Sequence, residues 1–223
     1  AEIVISGRVR LARNIQGFHF ISRMSQEERL ACEGRIREVI LKAGIVSGAR
    51  YVPLHETAPL DRKVLVERHL ISKEHEDAKH PRGVAVGDQE ALSIMTNEED
   101  HVRLQVLQSG FQLRQAYQIA SQTDDLLGAG LAYACSPRLG YLTACPTNVG
   151  TGMRVSCLVH LPALTRSRQM PRVLENLSKL GMTARGLYGE GTQVLGDFYQ
   201  ISNATCLGRT EREFAENLER LVK

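Results

Sequence analysis

Two adjacent carboxylates, Glu98 and Glu99, follow an apolar run at residues 91–95, and Arg103 comes four residues after Glu99. Paired carboxylates can hold a guanidinium through charge-assisted hydrogen bonds and can orient one of its nitrogens for attack. Arg103 would then be placed to reach a nearby phosphate. The same acidic cluster is compatible with the start of a helix, where the helix dipole favours negative charge. Taken alone, this segment leaves both interpretations open.

A second candidate segment begins at Ser6 and carries Arg8 and Arg10, which alternate with Val9 and Leu11. In an extended chain, alternate side chains lie on the same face. Two guanidinium groups on one face suit a polyphosphate, because arginine stays charged and binds oxyanions through two hydrogen bonds at once. The alternative is a solvated edge strand with surplus positive charge.

Two glycine-rich segments complete the candidate ligand-binding sequences. Residues 145–154 begin with Cys145 and Pro146 and end with Arg154, and their small side chains would let backbone N–H groups approach a ligand closely. The segment lacks the Gly-Lys-Ser/Thr ending of a Walker loop. Cys145 is either a functional thiolate or an apolar filler. Residues 185–191, with three glycines after Arg185, predict a mobile flap or a glycine-rich surface loop.

The elements that must position these residues begin with a helix and a hairpin. Residues 25–28 have the pattern of a capping box at the start of a helix, and Gly44 is a natural stop. Residues 83–86 and 91–95 flank a tight turn and predict a β-hairpin. After the hairpin, the spacing of Leu104, Leu107 and Phe111 predicts a helix, and a second helix is predicted at about residues 112–121.

The second half of the chain predicts another strand pair, residues 139–144 and 153–161, joined by the glycine-rich loop. Alternation in the later strand would put Arg154, Ser156 and His160 on one face and apolar residues on the other. A helix at about residues 170–180 and a strand at 198–201 follow. The last helix opens with a capping box at residues 210–213. The predicted fold class is α+β, with a mainly antiparallel β-sheet flanked by helices.

Composition excludes several classes of protein. The chain has 223 residues, of which 43% are hydrophobic and 24% are charged, as is ordinary for a globular domain. A net charge of +3 is too mild to predict nucleic-acid binding. We find no apolar run long enough to span a membrane and no signal-peptide pattern at the first residues, so a cytoplasmic location is expected. The scattered cysteines argue against a disulfide framework and against a zinc site.

Together and in this order, the four segments resemble the catalytic domain of the phosphagen (guanidino) kinases. The resemblance extends from the first residues to about Asn203, and the Cys-Pro-Thr-Asn-Val-Gly-Thr string is highly specific. Within that family the chain is most similar to bacterial protein-arginine kinases, through residues 67–72 and 185–190. The strings that carry the resemblance are Ser6-Gly7-Arg8-Val9-Arg10, Asn97-Glu98-Glu99-Asp100-His101, Cys145-Pro146-Thr147-Asn148-Val149-Gly150-Thr151 and Arg185-Gly186.

The resemblance implies transfer of the γ-phosphoryl group of ATP to a guanidinium nitrogen of arginine side chains in proteins. Mg²⁺ would bridge the ATP phosphates without a cage of protein ligands. The implied catalytic residues are Glu99, as the preferred base, with Glu98, Cys145 and Arg154. The implied nucleotide-binding residues, with Val155 to Leu158 acting through their backbone, are Ser6, Arg8, Arg10, His69, Arg103, Arg154, Val155, Ser156, Cys157, Leu158, Arg185, Gly186, Leu187, Tyr188, Gly189 and Glu190.

The resemblance has departures that keep alternatives open. Gly7 stands where a serine is usual, which predicts the loss of one hydroxyl on the phosphate side. Residues 1–223 are expected to be a single catalytic domain, without the N-terminal helical domain of the small-substrate kinases and without a C-terminal phosphoarginine-binding domain. The alternatives are a kinase acting on free arginine or another small guanidine, and a non-catalytic nucleotide-binding adaptor. A stress-response gene neighbourhood would favour the protein kinase, and an oligomer is possible.

Overall fold

The structure is a computed structural model that describes residues 3–42, 44–45, 48, 50–77, 79–186 and 196–223. The strands in these residues are β1 (Val4–Arg13), β2 (Arg50–Pro53), β3 (Gly83–Val86), β4 (Leu92–Thr96), β5 (Val102–Ser109), β6 (Cys135–Ser136), β7 (Gly140–Tyr141), β8 (Met153–His160), β9 (Met182–Gly186) and β10 (Phe198–Asn203). The α-helices are α1 (Gln26–Lys42), α2 (Pro59–Glu67), α3 (Leu113–Gly130), α4 (Pro162–Arg166), α5 (Met170–Lys179) and α6 (Glu211–Val222). Within the described ranges, none of the helices is long and apolar enough to cross a membrane.

One eight-stranded sheet organises the molecule, in the order β2-β3-β4-β5-β1-β8-β10-β9. Every pair of neighbours in it is antiparallel. The first strand of the chain therefore lies near the centre of the sheet, between β5 and β8. The predicted α+β class with an antiparallel sheet is confirmed.

The central strands divide their side chains between two environments. Val9 and Leu11 on β1 and Val155 on β8 are at most 1% exposed and belong to the main core. Helix α3 packs against β1 and β5, and α6 packs against β8 and β10, so both helices cover this apolar face. Because strand side chains alternate, the polar residues between these positions all lie on the opposite face of the sheet.

The helix predicted around Leu104 is wrong, because residues 102–109 form strand β5. The strand buries Val102, Leu104 and Val106 fully, whereas Arg103 between them is only half-buried. This alternation of side-chain burial has the period of two that is typical of a β-strand. The spacing between Leu104, Leu107 and Phe111 also fits a helix, and pairing with β1 and β4 decides between the two periods. The helix predicted at residues 112–121 exists as α3, which continues to Gly130.

The strand pair predicted between residues 139–144 and 153–161 is also wrong. β7 has two residues and pairs with β6, whereas β8 pairs with β1 on one side and with β10 on the other. A strand in the middle of a sheet is largely buried. Residues 139–142 are largely exposed or half-buried, so they do not form such a strand. The intervening loop instead folds into a short 3-10 helix, Pro146–Asn148.

Other predicted elements are confirmed. The hairpin is β3–β4, with Gly83 opposite Thr96, and α5 and β10 lie where they were expected.

The capping box of α1 is only half-formed. Ser25 Oγ accepts a hydrogen bond from the Glu28 N–H at 3.1 Å, but the Glu28 carboxylate accepts one from the His19 N–H at 2.8 Å.

A buried arginine anchors the end of β1. Arg13 is inaccessible to solvent and donates to Asp124 Oδ2 on α3 from Nε (3.0 Å) and Nη2 (2.7 Å). It also donates to Glu211 Oε1 on α6 at 3.0 Å and to the Thr151 carbonyl at 2.8 Å. Its guanidinium lies 3.6 Å from the centroid of the Tyr141 ring. These contacts raise the pKa of Arg13 despite its burial, and they hold two helices and the glycine-rich loop against the central strand.

We expect the α6 cap to contribute measurably to stability. Thr210 accepts a hydrogen bond from the Glu213 N–H, and the Glu213 carboxylate accepts one from the Thr210 N–H. Thr210→Ala should lower the free energy of unfolding by about 1 kcal/mol in denaturant titration, because a helix N–H loses its partner. Thr210→Ser keeps the hydroxyl and should lose little. Equal losses in both variants would contradict a role for the cap.

Candidate active site

Arginine side chains from several strands converge on the face of the sheet opposite the helices. Arg10 lies opposite Arg154 in the β1–β8 pair, and Arg103 lies opposite Ala12 in the β1–β5 pair. Arg8 is two residues from Arg10 on the same side of β1. Sheet register brings these arginines together although they are far apart in the sequence.

The electrostatics of this arginine cluster are unfavourable in the absence of an anion. Burial, reinforced by Arg103 and Arg154, lowers the pKa of Arg8 to about 10. Burial and the neighbouring arginines also lower the pKa of Arg10 well below its usual value, and burial followed by Arg185 lowers that of Arg154. Within the described ranges, the buried Nε atoms of Arg8, Arg10 and Arg154 have no hydrogen-bond partner. Buried donors without partners carry an energetic cost, so the cluster suits an anion with several oxygens.

The described residues of this face line a main cleft and a side cleft. The main cleft has a volume of about 230 Å³ and is lined by Arg10, Leu11, Ala12, Glu99, Arg103, Cys145, Thr147, Asn148, Gly152 and Arg154. The side cleft has a volume of about 70 Å³ and is lined by Ser6, Arg8, His69, Leu107, Ser156, Leu158 and Gln200. The clefts share no lining residue, but neighbouring arginines of β1 connect them.

The turn between β4 and β5 carries the two glutamates and sends them in different directions. Asn97 has φ of 56° and its N–H donates to the His101 carbonyl at 2.9 Å. The Asn97 side chain donates to the carbonyls of Arg29 (2.8 Å) and Pro81 (3.0 Å), which fixes the turn to the surrounding loops. As a result Glu98 is buried and Glu99 is exposed.

Glu98 is committed to contacts within the protein. Its carboxylate pairs with Arg103, accepts from Ser72 Oγ at 2.6 Å and accepts from the Glu99 N–H at 3.0 Å. Burial raises its pKa, but Arg103, Ser72 and the Glu99 N–H outweigh burial and lower the pKa to about 2. Glu98 is therefore an ionised group that orients Arg103, and it does not face the main cleft as an open carboxylate.

Glu99 is the carboxylate that lines the main cleft. Partial burial, followed by the neighbouring Asp100 carboxylate, raises its pKa, and Arg103 partly offsets this effect. In the described part of the chain its carboxylate has no hydrogen-bond or ion-pair partner. A free carboxylate with a raised pKa, opposite several arginines, is suited to bind a cationic ligand and to accept a proton.

Cys145, where the glycine-rich segment begins, lines the main cleft together with Glu99 and Arg154. It is half-buried, its Sγ is 3.1 Å from Thr147 Oγ1, and its carbonyl accepts from Thr143 Oγ1 at 2.8 Å. The glycines of this segment permit close backbone contacts. A side chain at Gly150, where φ is 118°, would meet the Cys206 carbonyl at 2.3 Å.

The side cleft brings together five of the predicted nucleotide-binding residues: Ser6, Arg8, His69, Ser156 and Leu158. The His69 carbonyl accepts from Gln105 Nε2 at 2.6 Å, which ties the segment after α2 to the face of β5. Gln200 Nε2 donates to Ser156 Oγ at 3.2 Å.

Some predicted residues do not contribute side chains to either cleft. Val155 and Cys157 are fully buried on the helical face, so they adjoin the site only through their backbone, and the Val155 N–H already donates to Asn203 Oδ1. Arg185 and Gly186 are on the edge strand β9. Leu187, Tyr188, Gly189 and Glu190 lie outside the described residues.

Gly7 corrects a sequence-based expectation. A Cβ at Gly7 would point to the helical face, 3.0 Å from Leu113 Cδ2 of α3. A serine hydroxyl at this position would therefore lie in the core, and its absence removes nothing from the phosphate side. Ser6 is the residue that faces the side cleft.

Sequence reasoning did not identify Ser72, Gln105 or Gln200 as part of the site. Gln105 alternates with Arg103 on β5, but the helical spacing of Leu104, Leu107 and Phe111 conceals this alternation in the sequence. Ser72 carries no local pattern, since only folding brings it to Glu98. Among the described residues, no group of three or more His, Cys, Asp or Glu side chains could hold a metal ion.

The lowered pKa of Glu98 predicts a pH-dependent contribution to stability. Its pKa falls from 4.5 to about 2 on folding, so the contribution is complete above pH 4.5 and disappears as the pH falls towards 2. The stability difference between the wild type and Glu98→Gln should shrink by about 2 kcal/mol between pH 7 and pH 3 in denaturant titrations. Glu99→Gln is the matched control and should show no such loss, because the Glu99 pKa is raised. A pH-independent Glu98→Gln difference would contradict the assignment.

Comparison with known proteins agrees with this geometry. A family model described as ATP:guanido phosphotransferase, C-terminal catalytic domain, matches residues 32–223. Among solved structures, the substrate-free duplicated taurocyamine kinase from Schistosoma mansoni superposes with a TM-score of 0.85 at 31% identity, covering 99% of this chain and 33% of that chain. Lombricine kinase superposes with a TM-score of 0.81 at 30% identity, covering 99% of this chain and 64% of that chain.

Two similar sequences are named protein-arginine kinase. The one from Symbiobacterium thermophilum is 51% identical across 100% of this chain and 64% of its own length. The one from Halothermothrix orenii is 45% identical across 98% of this chain and 62% of its own length. The chain thus spans less than two thirds of these relatives. The match over residues 32–223 and the agreement of the fold together show that the chain belongs to the ATP:guanido phosphotransferase family.

Proposed function

We propose that this chain transfers the γ-phosphoryl group of ATP to a guanidinium nitrogen of arginine side chains in proteins. The observation that carries the proposal is the placement of the free Glu99 carboxylate in one cleft with Arg10, Arg103 and Arg154. A carboxylate there suits a cationic acceptor, and the arginines suit an anionic donor. Phosphoryl transfer to a guanidinium requires both in contact.

The arginine cluster fits the polyphosphate of ATP. The buried Nε atoms of Arg8, Arg10 and Arg154, which have no partner in the described ranges, are donors of the kind that phosphate oxygens satisfy. Arg103, Arg154 and Arg10 would hold the transferring group, since catalysis of this reaction is mainly positioning and compensation of charge on the equatorial oxygens. One such arginine is worth ~10³–10⁵ in rate. Ser6, His69 and Ser156 in the side cleft would bind the remainder of the nucleotide.

A Mg²⁺ ion would enter with the nucleotide. The described residues offer no cluster of carboxylates and imidazoles for it, which fits an ion held through phosphate oxygens and water. Bound there, it would neutralise charge on the phosphates. Arg185 and Gly186 on β9 would add contacts to the nucleotide. Residues 187–190, which lie outside the described residues, belong to the same proposal.

Glu99 would act as the base and Glu98 as a support for Arg103. A carboxylate is far too weak to deprotonate a free guanidinium, whose pKa exceeds ~12. Glu99 would instead orient the nitrogen and accept its proton as the new N–P bond forms and the bond from the γ-phosphorus to the β-γ bridging oxygen of ATP breaks. The departing product is ADP. Cys145 would contact the guanidinium beside Glu99 without forming a covalent intermediate.

An arginine in a protein is the acceptor we favour because the similar sequences with 42–51% identity are named protein-arginine kinase. The similar solved structures are named for small guanidino substrates, which keeps a small guanidine as the second candidate. Gly7 is one of the two departures that support a non-catalytic adaptor, the other being the expected lack of a C-terminal phosphoarginine-binding domain. The contact of a Gly7 Cβ with Leu113 in the core weakens the support from Gly7. We also propose that the chain forms one catalytic domain, because one core cluster includes residues from Val4 to Leu218. A cytoplasmic location and a role in stress response belong to the same proposal.

The direct test is incubation of the chain with γ-labelled ATP, Mg²⁺ and either an unstructured arginine-rich protein or free arginine. Acid-labile label on protein arginine is the expected result. Label on free arginine alone would move the assignment to a small-guanidine kinase. ATP binding without any transfer would overturn the proposal in favour of the adaptor.

Glu99→Gln should lower kcat by ~10²–10⁴-fold, because general-base assistance of this size is lost. The dissociation constant for ATP, measured by direct titration, should not change, since Glu99 contacts the acceptor. Glu56→Gln, at an exposed glutamate that lines neither cleft, is the control and should be fully active. Wild-type turnover in a folded Glu99→Gln variant would exclude Glu99 as the base.

Gly7→Ser and Ser6→Ala form a matched pair that tests the orientation of β1. Gly7→Ser should leave ATP binding unchanged and should lower the free energy of unfolding by about 1 kcal/mol, because the added atoms crowd Leu113. Ser6→Ala should weaken ATP binding without loss of stability, since Ser6 lines the side cleft. Titration calorimetry and denaturant unfolding measure the two effects. The opposite pattern would mean that Gly7 faces the phosphates.

A further inference from the structure

Asn14, directly after β1, has a buried side chain that joins three separate segments. It is 2% exposed, and its Nδ2 donates to Asp100 Oδ1 at 2.6 Å and to the Leu142 carbonyl at 3.0 Å. Its Oδ1 accepts from the His101 N–H at 3.0 Å. Both amide hydrogens and the amide oxygen of this one side chain are therefore used.

Asp100 extends the same connection. Its Oδ1 also accepts from the Ala144 N–H at 2.7 Å, and the residue is 2% exposed. Ala144 is bonded directly to Cys145, and Asp100 is bonded directly to Glu99. The hydrogen bond from the Ala144 N–H to Asp100 Oδ1 thus connects the residue beside the proposed base to the residue beside the cleft cysteine, and the bond from Asn14 to the same oxygen holds Asp100 in place.

The turn between β4 and β5 is also held by His101, through contacts that do not involve Asp100. His101 Nδ1 accepts from the Ile15 N–H at 2.9 Å, and its Nε2–H donates to the His19 carbonyl at 2.8 Å. An imidazole that accepts a hydrogen bond at one nitrogen and donates one from the other is neutral. Burial lowers the pKa of His101, which agrees with a neutral ring. The turn is consequently fixed at both ends to the chain that follows β1. The hydrogen bonds from the Ala144 N–H to Asp100 Oδ1 and from Asn14 Nδ2 to the Leu142 carbonyl tie the segment before Cys145 to the same two residues.

We propose that Asn14 and Asp100 are a positioning pair that sets the separation of Glu99 and Cys145 across the main cleft. The proposal rests on the proposed function, because these two residues flank the acceptor side of the cleft. The side cleft is organised by different contacts, Gln105 to His69 and Gln200 to Ser156. The pair therefore controls engagement of the acceptor guanidinium and leaves nucleotide binding unaffected.

The test compares Asn14→Ala and Asp100→Ala with Asp100→Asn, whose amide oxygen can still accept from Asn14 Nδ2 and from the Ala144 N–H. Each alanine variant should lower kcat/KM for an arginine-containing peptide by about tenfold or more, since small misplacements of reacting groups have large effects on rate. The dissociation constant for ATP should stay constant. Asp100→Asn should lose less than Asp100→Ala, because both hydrogen bonds to the side-chain oxygen can still form.

Ile40→Val is the control for general destabilisation, because Ile40 is buried in α1 and contacts neither cleft. It should change neither kcat/KM nor ATP binding. The pair is only structural if Ile40→Val lowers kcat/KM as much as Asn14→Ala does. The same conclusion follows if the alanine variants weaken ATP binding and acceptor use equally, or if Asp100→Asn is as impaired as Asp100→Ala.

A second readout does not depend on activity. The rate of alkylation of Cys145 by iodoacetamide, followed by peptide mass spectrometry, should rise in both alanine variants. Asp100→Ala removes the acceptor of the Ala144 N–H, and Asn14→Ala removes the donor to the Leu142 carbonyl. Cys135, exposed on β6, is the internal control and should react at an unchanged rate. An inactive wild type would refute the proposed function, and the Cys145 rates would still decide the positioning role. Unchanged Cys145 rates would refute the pair.

Discussion

The main physical constraint on this structure is that guanidinium groups, which repel one another, lie side by side on one face of the sheet. Arg8, Arg10 and Arg154 are drawn together by the register of β1 and β8, and burial and like charge lower the pKa of each. None of these three forms an ion pair within the described ranges. Such an arrangement persists only if packing elsewhere outweighs its cost. The opposite face of the sheet provides this packing, since Val9 and Val155 on the same two strands are fully buried in the core.

Strand β1 is the element that combines these requirements. Arg8 and Arg10 form part of the cationic face, and Val9 and Leu11 form part of the core. Two buried polar residues, Arg13 and Asn14, lie at the end of the strand. Arg13 holds α3, α6 and the Thr151 region together, while Asn14 joins the glutamate turn to the segment before Cys145. A central strand can serve all three roles because both of its edges are paired and its two faces are chemically different.

Much of the fold followed from local pattern. The β3–β4 hairpin, α5 and the capped α6 were predicted because a tight turn, a helical period and a capping box are all local signals. The segment around Leu104 failed because its apolar residues fit two periods, and pairing with β1 chose the strand. The strand pair proposed after residue 139 failed for a related reason. Adjacent segments in the chain were assumed to pair, whereas β8 pairs with β1, more than a hundred residues earlier.

The sequence by itself determined the residue types of the site: the arginines, the adjacent glutamates and the glycine-rich loop, together with the resemblance that these strings carry. Tertiary structure alone decided what each one does. It buried Glu98 against Arg103 and Ser72 and lowered its pKa to about 2, while it left Glu99 open with a raised pKa. It also turned Gly7 towards the core and Ser6 towards the side cleft. The reason is physical. Charge, burial and hydrogen bonding depend on neighbours in space, and for these residues many of the neighbours lie far away in the chain.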